Sequence, residues 1–277
     1  MSSGRDIIAG FMTDPASANI AVRVMERIWE TTGEQVVDFR DGPGAGGGGR
    51  PTRMESLFSM LRKGKIDILI SPVRLLPVDF PEGTFLAAVL TRGNTFNCLI
   101  SSEELILEEQ PGDAPIVVPD RACKGQLLYF RPDLLIVEMD EGLPRLASRM
   151  EKGEIGGFVS SAAEIEAMCC QDQVVEVLTS SICMPPAGQG AVGLVTRLDD
   201  RETKSLVDQM NHLPSRSEVE LERKFLDNLP GRGRGAAVAL GTVEEDAFNI
   251  SAVITAEDGS EKISASMEGP RGSEAQV

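Results

Sequence analysis

A helix–turn–strand unit occurs twice in this chain, and this repeat restricts the fold more than any other feature of the sequence. Adding 89 to the apolar positions 54, 57, 58 and 61 gives 143, 146, 147 and 150, which again form one helical face. Lys63-Gly64-x-Ile66 recurs as Lys152-Gly153-x-Ile155, and Ser71 corresponds to Ser160. Internal repetition of this kind predicts two domains of similar construction.

Strand and helix patterns alternate in the chain, which favours parallel sheets. Apolar strand patterns at 6–11 and 35–39 enclose a helical pattern at 17–31, and Gly33 stands where a helix often ends with positive φ. Each repeat would present a helix N-terminus, which attracts anions, to a shared cleft. The predicted fold class is therefore α/β, with two similar periplasmic-binding-protein-like domains around a cleft and a small α+β third domain.

The same patterns give the expected domain boundaries. Domain 1 is expected at 1–90 with 176–198, domain 2 at 91–175, and domain 3 at 199–277. A strand at 174–178 would lead the chain back to domain 1. The polar tail from about Glu268 is expected to be disordered.

Charge and composition exclude several functional classes. The net charge of −16, from 27 basic and 43 acidic side chains, argues against a nucleic-acid surface. There is no run of 18 apolar residues and no signal-peptide pattern, so we expect no membrane span and a cytoplasmic protein. Five cysteines without a C-x-x-C motif fit reduced thiols, and His212 is the one histidine, so no metal is expected. We expect a monomer.

A glycine-rich stretch at 41–50 has the formal pattern G-x-G-x-x-G, through Gly42, Gly44 and Gly47. It follows the second strand pattern rather than the first, and Arg50-Pro51 stands where a P-loop requires Lys-Ser/Thr. A glycine tract matches such a pattern by chance, so a lid or linker is favoured. Binding of a nucleotide or small anion in the cleft stays an alternative.

The stretch Pro185-Pro186-Ala187-Gly188-Gln189-Gly190-Ala191-Val192-Gly193 leads into an apolar strand, and Arg197-Leu198-Asp199-Asp200 follows. Its glycines allow a close backbone approach. The run resembles the P-A-x-G-Q-G-A-x-G-x-x-x-R-x-D-D segment of the hydroxymethylbilane synthase (porphobilinogen deaminase) family. Three further segments are similar to that family's V-P-x-x-x-P-x-G, R-P-D-L and E-R motifs: Leu76–Gly83, Arg131–Leu134 and Leu221–Arg223.

The resemblance implies a transferase of tetrapyrrole (porphyrin) biosynthesis that joins four porphobilinogens head to tail. In that family a dipyrromethane cofactor, attached to a cysteine, anchors the growing chain. An aspartate protonates and stabilises the pyrrole intermediates. Arginines bind the acetate and propionate side chains of the substrate.

The sequence departs from the family at the positions that carry this chemistry. The family's H-S-x-K-D-x-P is here Ser71–Pro77, which puts Leu75 at the catalytic aspartate and Arg74 at the lysine. Its G-G-C-x-x-P-x-G is here Arg234–Gly241, which puts Ala236 at the cofactor cysteine. Leucine can neither transfer a proton nor balance a cationic pyrrole, and alanine cannot form a thioether.

Two arginine motifs of the family are also altered. The arginine of its T-R-x-S-P falls on Phe11 or Met12, and the pair in its S-L-R-R falls near Cys123 and Lys124. The basic residues that remain as candidates for substrate binding are Arg50, Arg74, Lys124 and Arg145. No catalytic or cofactor-binding residue of the family is intact.

The sequence therefore favours a pseudoenzyme, a hydroxymethylbilane synthase-like protein that has kept the fold and lost the chemistry. Its ligand would be porphobilinogen or a related carboxylated pyrrole, and dipyrromethane is expected to be absent. The alternative is an active, divergent enzyme with a substitute acid and thiol. Cys123 is the candidate thiol, whereas Asp79 fits a turn residue better than a substitute acid.

Overall fold

The computed structural model describes residues 6–39, 54–229 and 237–272. The chain forms two compact units: unit 1 contains Met1–Arg92 and Ala191–Arg216, and unit 2 contains Gly93–Gly190 and Ser217–Val277.

The strands of the described ranges are β1 (Ile7–Gly10), β2 (Val36–Asp38), β3 (Ile68–Pro72), β4 (Thr84–Val89), β5 (Asn97–Ser101), β6 (Ile116–Val118), β7 (Ile136–Glu138), β8 (Gly157–Ser161), β9 (Glu176–Leu178), β10 (Val192–Arg197), β11 (Ala237–Val243), β12 (Ala247–Thr255) and β13 (Lys262–Pro270). The helices are α1 (Pro15–Thr32), α2 (Met54–Arg62), α3 (Arg121–Phe130), α4 (Leu143–Glu151), α5 (Ala162–Ala167), α6 (Ser180–Cys183), α7 (Arg201–Asp208) and α8 (Leu213–Asn228). None of these helices has the length and apolar character needed to cross a membrane.

Unit 1 is built on a five-stranded sheet with the order β2-β1-β3-β10-β4. β1 runs parallel to β2 and β3, whereas β10 runs antiparallel to β3 and β4. The side chain of Asp14 caps α1 by accepting a hydrogen bond from the Ser17 N–H, and Gly33 ends the helix with a φ of 73°, as predicted. The apolar face of α1, including Val24 and Ile28, packs in the core of this sheet.

Unit 2 contains a sheet of the same design, with the order β7-β6-β8-β5-β9. β6 runs parallel to β7 and β8, and β5 runs antiparallel to β8 and β9. The two orders therefore correspond strand by strand. This correspondence confirms the predicted α/β class with two similar domains.

Unit 2 also contains a smaller antiparallel sheet with the order β11-β12-β13. On one face, Leu221 and Phe225 of α8 pack against Phe248 and Ile250. On the other face, Ala122 of α3 and Met184 pack against Val238 and Val253. The sheet and the α8 side chains that cover it form the small α+β part that the sequence predicted.

Three segments lie elsewhere than expected. β9 pairs with β5 because Leu178 is buried beside Leu99 in the second sheet, so the chain returns to the first sheet only at β10. α7 buries Leu206 and Val207 in the core of the first sheet, although 199–277 was assigned to domain 3. β13 continues to Pro270, past the predicted onset of disorder, because Glu268 opposes Asn249 in the ladder with β12. The division into three domains stays a prediction.

Candidate functional site

In unit 1 the candidate site lies at the carboxyl ends of two neighbouring parallel strands. β1 and β3 are paired with Gly10 opposite Leu69, so the segments that follow them leave the sheet at the same edge. Ligands of open α/β sheets bind beyond the carboxyl ends of the strands. Phe11 and Met12 follow β1, and Leu75 follows β3. The positions that were expected to correspond to the family's N-terminal arginine and catalytic aspartate thus share this edge, and apolar residues occupy both.

A 3-10 turn at Val73–Leu75 positions the residue that replaces the aspartate. The Val73 N–H donates to the Ala191 carbonyl at 2.9 Å, and the Val73 side chain is buried. Leu75, two residues further, is 37% exposed. The turn therefore holds an apolar side chain, with no proton to transfer, partly in solvent.

The glycine run that carries the family resemblance is packed directly against this turn. A Cβ on Gly193 would lie 2.7 Å from Cδ1 of Leu86 and 3.2 Å from Cγ2 of Val73. These side chains would have to shift to admit a Cβ, so glycine is favoured at this close approach. The sequence correctly identified Gly193 as a site of close approach. One of the residues that Gly193 approaches, Val73, belongs to the turn that carries Leu75.

Asp79, the acid nearest to Leu75 in the following segment, has a different environment. It lies in the exposed bend after the turn and lines a cavity of about 350 Å³ with Phe58 and Arg62 of α2. The bend is fixed by an edge-to-face contact between Phe58 and Phe80, whose ring centroids are 6.1 Å apart. Asp79 is thus a residue of the bend that faces α2.

In unit 2 the corresponding edge carries two of the predicted basic residues. β6, β7 and β8 are parallel neighbours, and each is followed by a helix, α3, α4 and α5 respectively. Lys124 lies in the first half of α3, whose cap is Asp120, and Arg145 lies in the first turn of α4. The topology therefore places both cations on helices that begin at the carboxyl edge of this sheet.

Both cations already contact carboxylates of the protein. Lys124 Nζ is 3.7 Å from Glu257 Oε1, and Arg145 Nε is 3.4 Å from Glu141 Oε1. Glu141 is also 3.5 Å from Nη1 of Arg149. The Arg145 side chain is 76% exposed, and exposed ion pairs contribute about 1 kcal/mol or less, so a ligand carboxylate can compete for it.

The remaining predicted site residues are only partly placed. Arg74 is half-buried in the turn beside Leu75. Arg50, Ala236 and the glycines Gly42, Gly44 and Gly47 lie outside the described residues. Of the described cations, Arg74 belongs to unit 1, and Lys124 and Arg145 belong to unit 2. Across the described ranges, no three His, Cys, Asp or Glu side chains are grouped in a way that could hold a metal ion.

The thiol considered as a substitute cofactor anchor does not fit that role. Cys123 is 3% exposed, and its Sγ lies 3.4 Å from Sγ of Cys183, which is fully buried. The hydrogen bond with Cys183, followed by burial, holds the pKa of Cys123 well above the ordinary value of a thiol. The group stays protonated and enclosed, whereas attachment of a cofactor needs an accessible thiolate.

The hydrogen bonds of two polar residues in this part of unit 2 were not predicted from the sequence. Gln189 donates from Nε2 to the Thr95 carbonyl at 2.6 Å and to Oδ1 of Asn97 at 3.0 Å. Glu222 is fully buried and accepts a hydrogen bond from the Gly241 N–H. Both residues belong to motifs noted in the sequence, but a motif does not show which groups its side chains will hydrogen-bond in the fold.

The comparison with known proteins agrees with these motifs. A family model described as "Porphobilinogen deaminase, dipyromethane cofactor binding domain" matches residues 16–205, which is more than half of the chain. The chain belongs to the porphobilinogen deaminase family. The match extends from α1 into α7, so it includes the positions of Leu75, Lys124 and Arg145. The family predicted from the sequence is thereby confirmed.

Individual porphobilinogen deaminases are similar over most of their length. The protein from Pelotomaculum thermopropionicum is 31% identical over 223 residues, which cover 80% of this chain and 72% of that protein. The protein from Moorella thermoacetica is 28% identical over 256 residues, which cover 89% of this chain and 81% of that protein.

The similar solved structures are more distant. The VFT2 domain of Bordetella pertussis BvgS aligns with a TM-score of 0.48 at 12% identity, over 76% of this chain and 88% of that one. The methionine binding protein MetQ aligns with a TM-score of 0.47 at 16% identity, over 74% of this chain and 89% of that one.

Proposed function

We propose that this member of the porphobilinogen deaminase family is a pseudoenzyme that binds a carboxylated pyrrole, such as porphobilinogen, without polymerising it. The observation that carries the proposal is Leu75, held by the turn after β3 at the position of the family's catalytic aspartate. We place the protein in the cytoplasm, in keeping with its reduced cysteines.

The chemistry of the family explains why this position matters. An acid there has two tasks, because it transfers a proton and balances the cationic pyrrole. A positioned general acid or base typically contributes about 10²–10⁴-fold to a rate. Leu75 can do neither task, and the nearby Asp79 lines a cavity with α2 instead. We therefore infer a loss of turnover of at least about a hundredfold.

We further propose that no dipyrromethane is attached. Alanine at 236 offers no sulfur atom for a thioether. Among the five cysteines, Cys98, Cys123 and Cys183 are buried. Cys169 is exposed and Cys170 is half-buried, but both follow α5 and lie far in sequence from Ala236. Without an anchor the product chain cannot grow on the protein. Leu75 and Ala236 therefore both act to reduce turnover.

Binding of an anionic ligand is supported by the basic residues that remain. Lys124 and Arg145 lie on helices that begin at one sheet edge, and Arg74 lies in the turn beside Leu75. The partners of Lys124 and Arg145 are carboxylates of the protein, and a carboxylated pyrrole carries the same type of group. Exposed ion pairs of this type are weak and can be exchanged.

The decisive experiment combines porphobilinogen consumption with intact mass. We expect the wild-type protein to consume no porphobilinogen and to keep its mass, while calorimetry reports reversible binding. Stoichiometric turnover by the wild-type protein would establish the alternative, an active divergent enzyme. Binding of NAD or ATP in place of pyrroles would favour a nucleotide-binding protein.

Restoring variants sharpen the test. Leu75→Asp combined with Ala236→Cys returns both missing groups, and Leu75→Asn with Ala236→Cys is the matched control of similar shape without an acid. We expect the cysteine in both variants to gain the mass of attached pyrrole units. Turnover should rise only in the variant with aspartate. Failure of both variants to bind or attach pyrroles would count against a retained pyrrole site.

A further inference from the structure

The strand β13 is an edge of the small sheet β11-β12-β13. Among the residues that the structure describes, it pairs with β12 alone, and it is nine residues long. Residues 263–268 are all exposed, including Ile263 at 66% and Met267 at 37%. Long exposed edge strands are templates for pairing with another chain, and proteins usually protect them with proline, lysine or a bulge. Lys262 and Pro270 stand at the two ends of β13, and no proline, lysine or bulge lies within 263–268.

The register identifies the backbone groups that this edge offers. The Arg271 N–H donates to the Asp246 carbonyl and the Ala256 N–H donates to the Glu261 carbonyl, at 2.9 Å each. Hydrogen-bonded pairs alternate along an antiparallel ladder, so the odd-numbered residues of β13 face β12. The N–H and C=O groups that point away from β12 are those of Lys262, Ser264, Ser266 and Glu268.

We propose that a second copy of this chain pairs with β13 in antiparallel orientation, with Ala265 opposite Ala265 of the second copy. In this register Lys262 lies opposite the second copy's Glu268, so opposite charges meet at both ends of the paired segment. Ile263 lies opposite Met267, and Ser264 lies opposite Ser266. The even-numbered residues, whose backbone groups point outward, oppose each other, as an antiparallel ladder requires.

The strand is self-complementary only in this register. A shift by two residues in either direction places Lys262 opposite Ser266 or opposite Pro270, which removes both ion pairs. Pro270 has no N–H to donate. Opposite charges and apolar pairs directly across strands are the interactions that stabilise a sheet. Charge complementarity therefore selects a second copy, in one register, as the occupant of this edge.

Pairing would also cover an apolar strip on one face of the sheet. Ile254 lies opposite Ile263 within the sheet, and these two side chains are 37% and 66% exposed. Met267 of the second copy would lie beside Ile263. On the other face, Lys262 is already oriented, because its Nζ donates to the Ser181 carbonyl at 2.9 Å and lies 5.4 Å from the centroid of the Tyr129 ring.

The test uses the full chain in sedimentation equilibrium over a range of concentrations. We expect a monomer–dimer equilibrium in the wild-type protein. Lys262→Glu and Glu268→Lys should each weaken the dimer at least about tenfold, because each creates like-charge pairs. Glu268→Lys leaves the contacts of Lys262 within its own chain unchanged. The double variant Lys262→Glu/Glu268→Lys should bind more tightly than either single variant, because it exchanges the charges and restores opposite charges at both ends of the paired segment.

A backbone variant checks the strand edge itself. Ser266→Pro removes one outward N–H without removing a bond to β12, so it should abolish the dimer while circular dichroism and thermal unfolding stay close to wild type. Ser266→Thr is the matched control and should still dimerise. A wild-type protein that remains monomeric, as the sequence analysis expected, would overturn the proposal. A dimer that is indifferent to both charge reversals would also overturn it.

Discussion

The buried carboxylate of Glu222 accepts a hydrogen bond of 2.7 Å from the backbone N–H of Gly188. Its other oxygen accepts one of 2.8 Å from the N–H of Gly241, in β11. Gly188 belongs to the glycine run that carries the family resemblance. Gly241 ends the segment in which Ala236 replaces the family's cofactor cysteine. One side chain of α8 therefore connects two motifs that are far apart in the sequence.

We predict that Glu222→Gln destabilises the protein by about 2 kcal/mol, because the amide can accept only one of these two hydrogen bonds and leaves the other donor unsatisfied. Urea unfolding measures the change in free energy. Glu220→Gln is the matched control, because Glu220 lies on the same helix and is exposed. Equal stability of the two variants would show that the connection contributes nothing.

A second prediction concerns a buried ion-pair network in unit 1. Arg197 contacts Oδ1 of Asp67 at 2.9 Å, pairs with Asp200, and donates to the carbonyls of Leu61 and Ile66. Asp67 is only 2% exposed, so removing the guanidinium takes the ion pair from a buried carboxylate, which keeps the hydrogen bond of 3.1 Å that its Oδ2 accepts from the Ile8 N–H. We expect Arg197→Ala to lower the free energy of unfolding by about 3–5 kcal/mol.

The control for this variant is Arg201→Ala, which removes an exposed arginine at the start of α7. Its effect on thermal and urea unfolding should stay within about 0.5 kcal/mol. A loss below 1 kcal/mol in Arg197→Ala would contradict the prediction.

A third prediction is the pH dependence of stability. Burial alone would raise the pKa of Asp200, but hydrogen bonds from Thr203 and the charge of Arg197 together lower it below the usual 3.8. The contribution of this carboxylate is therefore fully present above pH 3.8 and is lost as the pH falls through the lowered folded-state value. Asp133 acts with the same sign, because its hydrogen bond with Arg131 lowers its pKa to about 2.

Asp200→Asn is a suitable comparison, because asparagine can still cap α7 but carries no charge. Urea unfolding at a series of pH values should show less acid destabilisation in this variant than in the wild-type protein. Parallel curves for the two proteins would rule out Asp200 as a contributor.

How far the sequence predicts this fold depends on whether local patterns and tertiary contacts agree. The repeat predicted α4 and β8 correctly, because spacing alone defines their apolar faces. α3 was missed, because Gly125 interrupts its pattern. A Cβ on Gly125 would lie 2.5 Å from the Ala256 carbonyl oxygen, so the glycine is required by the approach of a segment 131 residues away in the sequence. No local pattern reveals such a contact.

For the candidate site, too, the sequence pointed to individual positions but did not predict their contacts. The motifs pointed to Leu75, Lys124 and Arg145 as site positions, and the structure puts the two cations on helices that begin at one edge of their sheet. The carboxylates that contact these cations lie in other segments. Glu257 is in the turn between β12 and β13, and Glu141 is in the loop before α4. The pairing of Cys123 with Cys183 joins helices α3 and α6, which are 60 residues apart. Partners of this kind are set by packing and are not encoded in local spacing.

The last prediction concerns the reactivity of the five thiols, which tests whether any of them could replace the missing cofactor anchor. Cys169 is exposed and should react first with a disulfide reagent such as DTNB, followed by the half-buried Cys170. Cys98, Cys123 and Cys183 should react only on unfolding, because burial excludes the reagent. The raised pKa of Cys123 also reduces its thiolate fraction at the pH of the assay. Cys169→Ser should remove the fast phase and leave the slow phase unchanged. Rapid labelling of Cys123 in the folded protein, or pyrrole mass attached to it, would contradict the assignment of this thiol as structural.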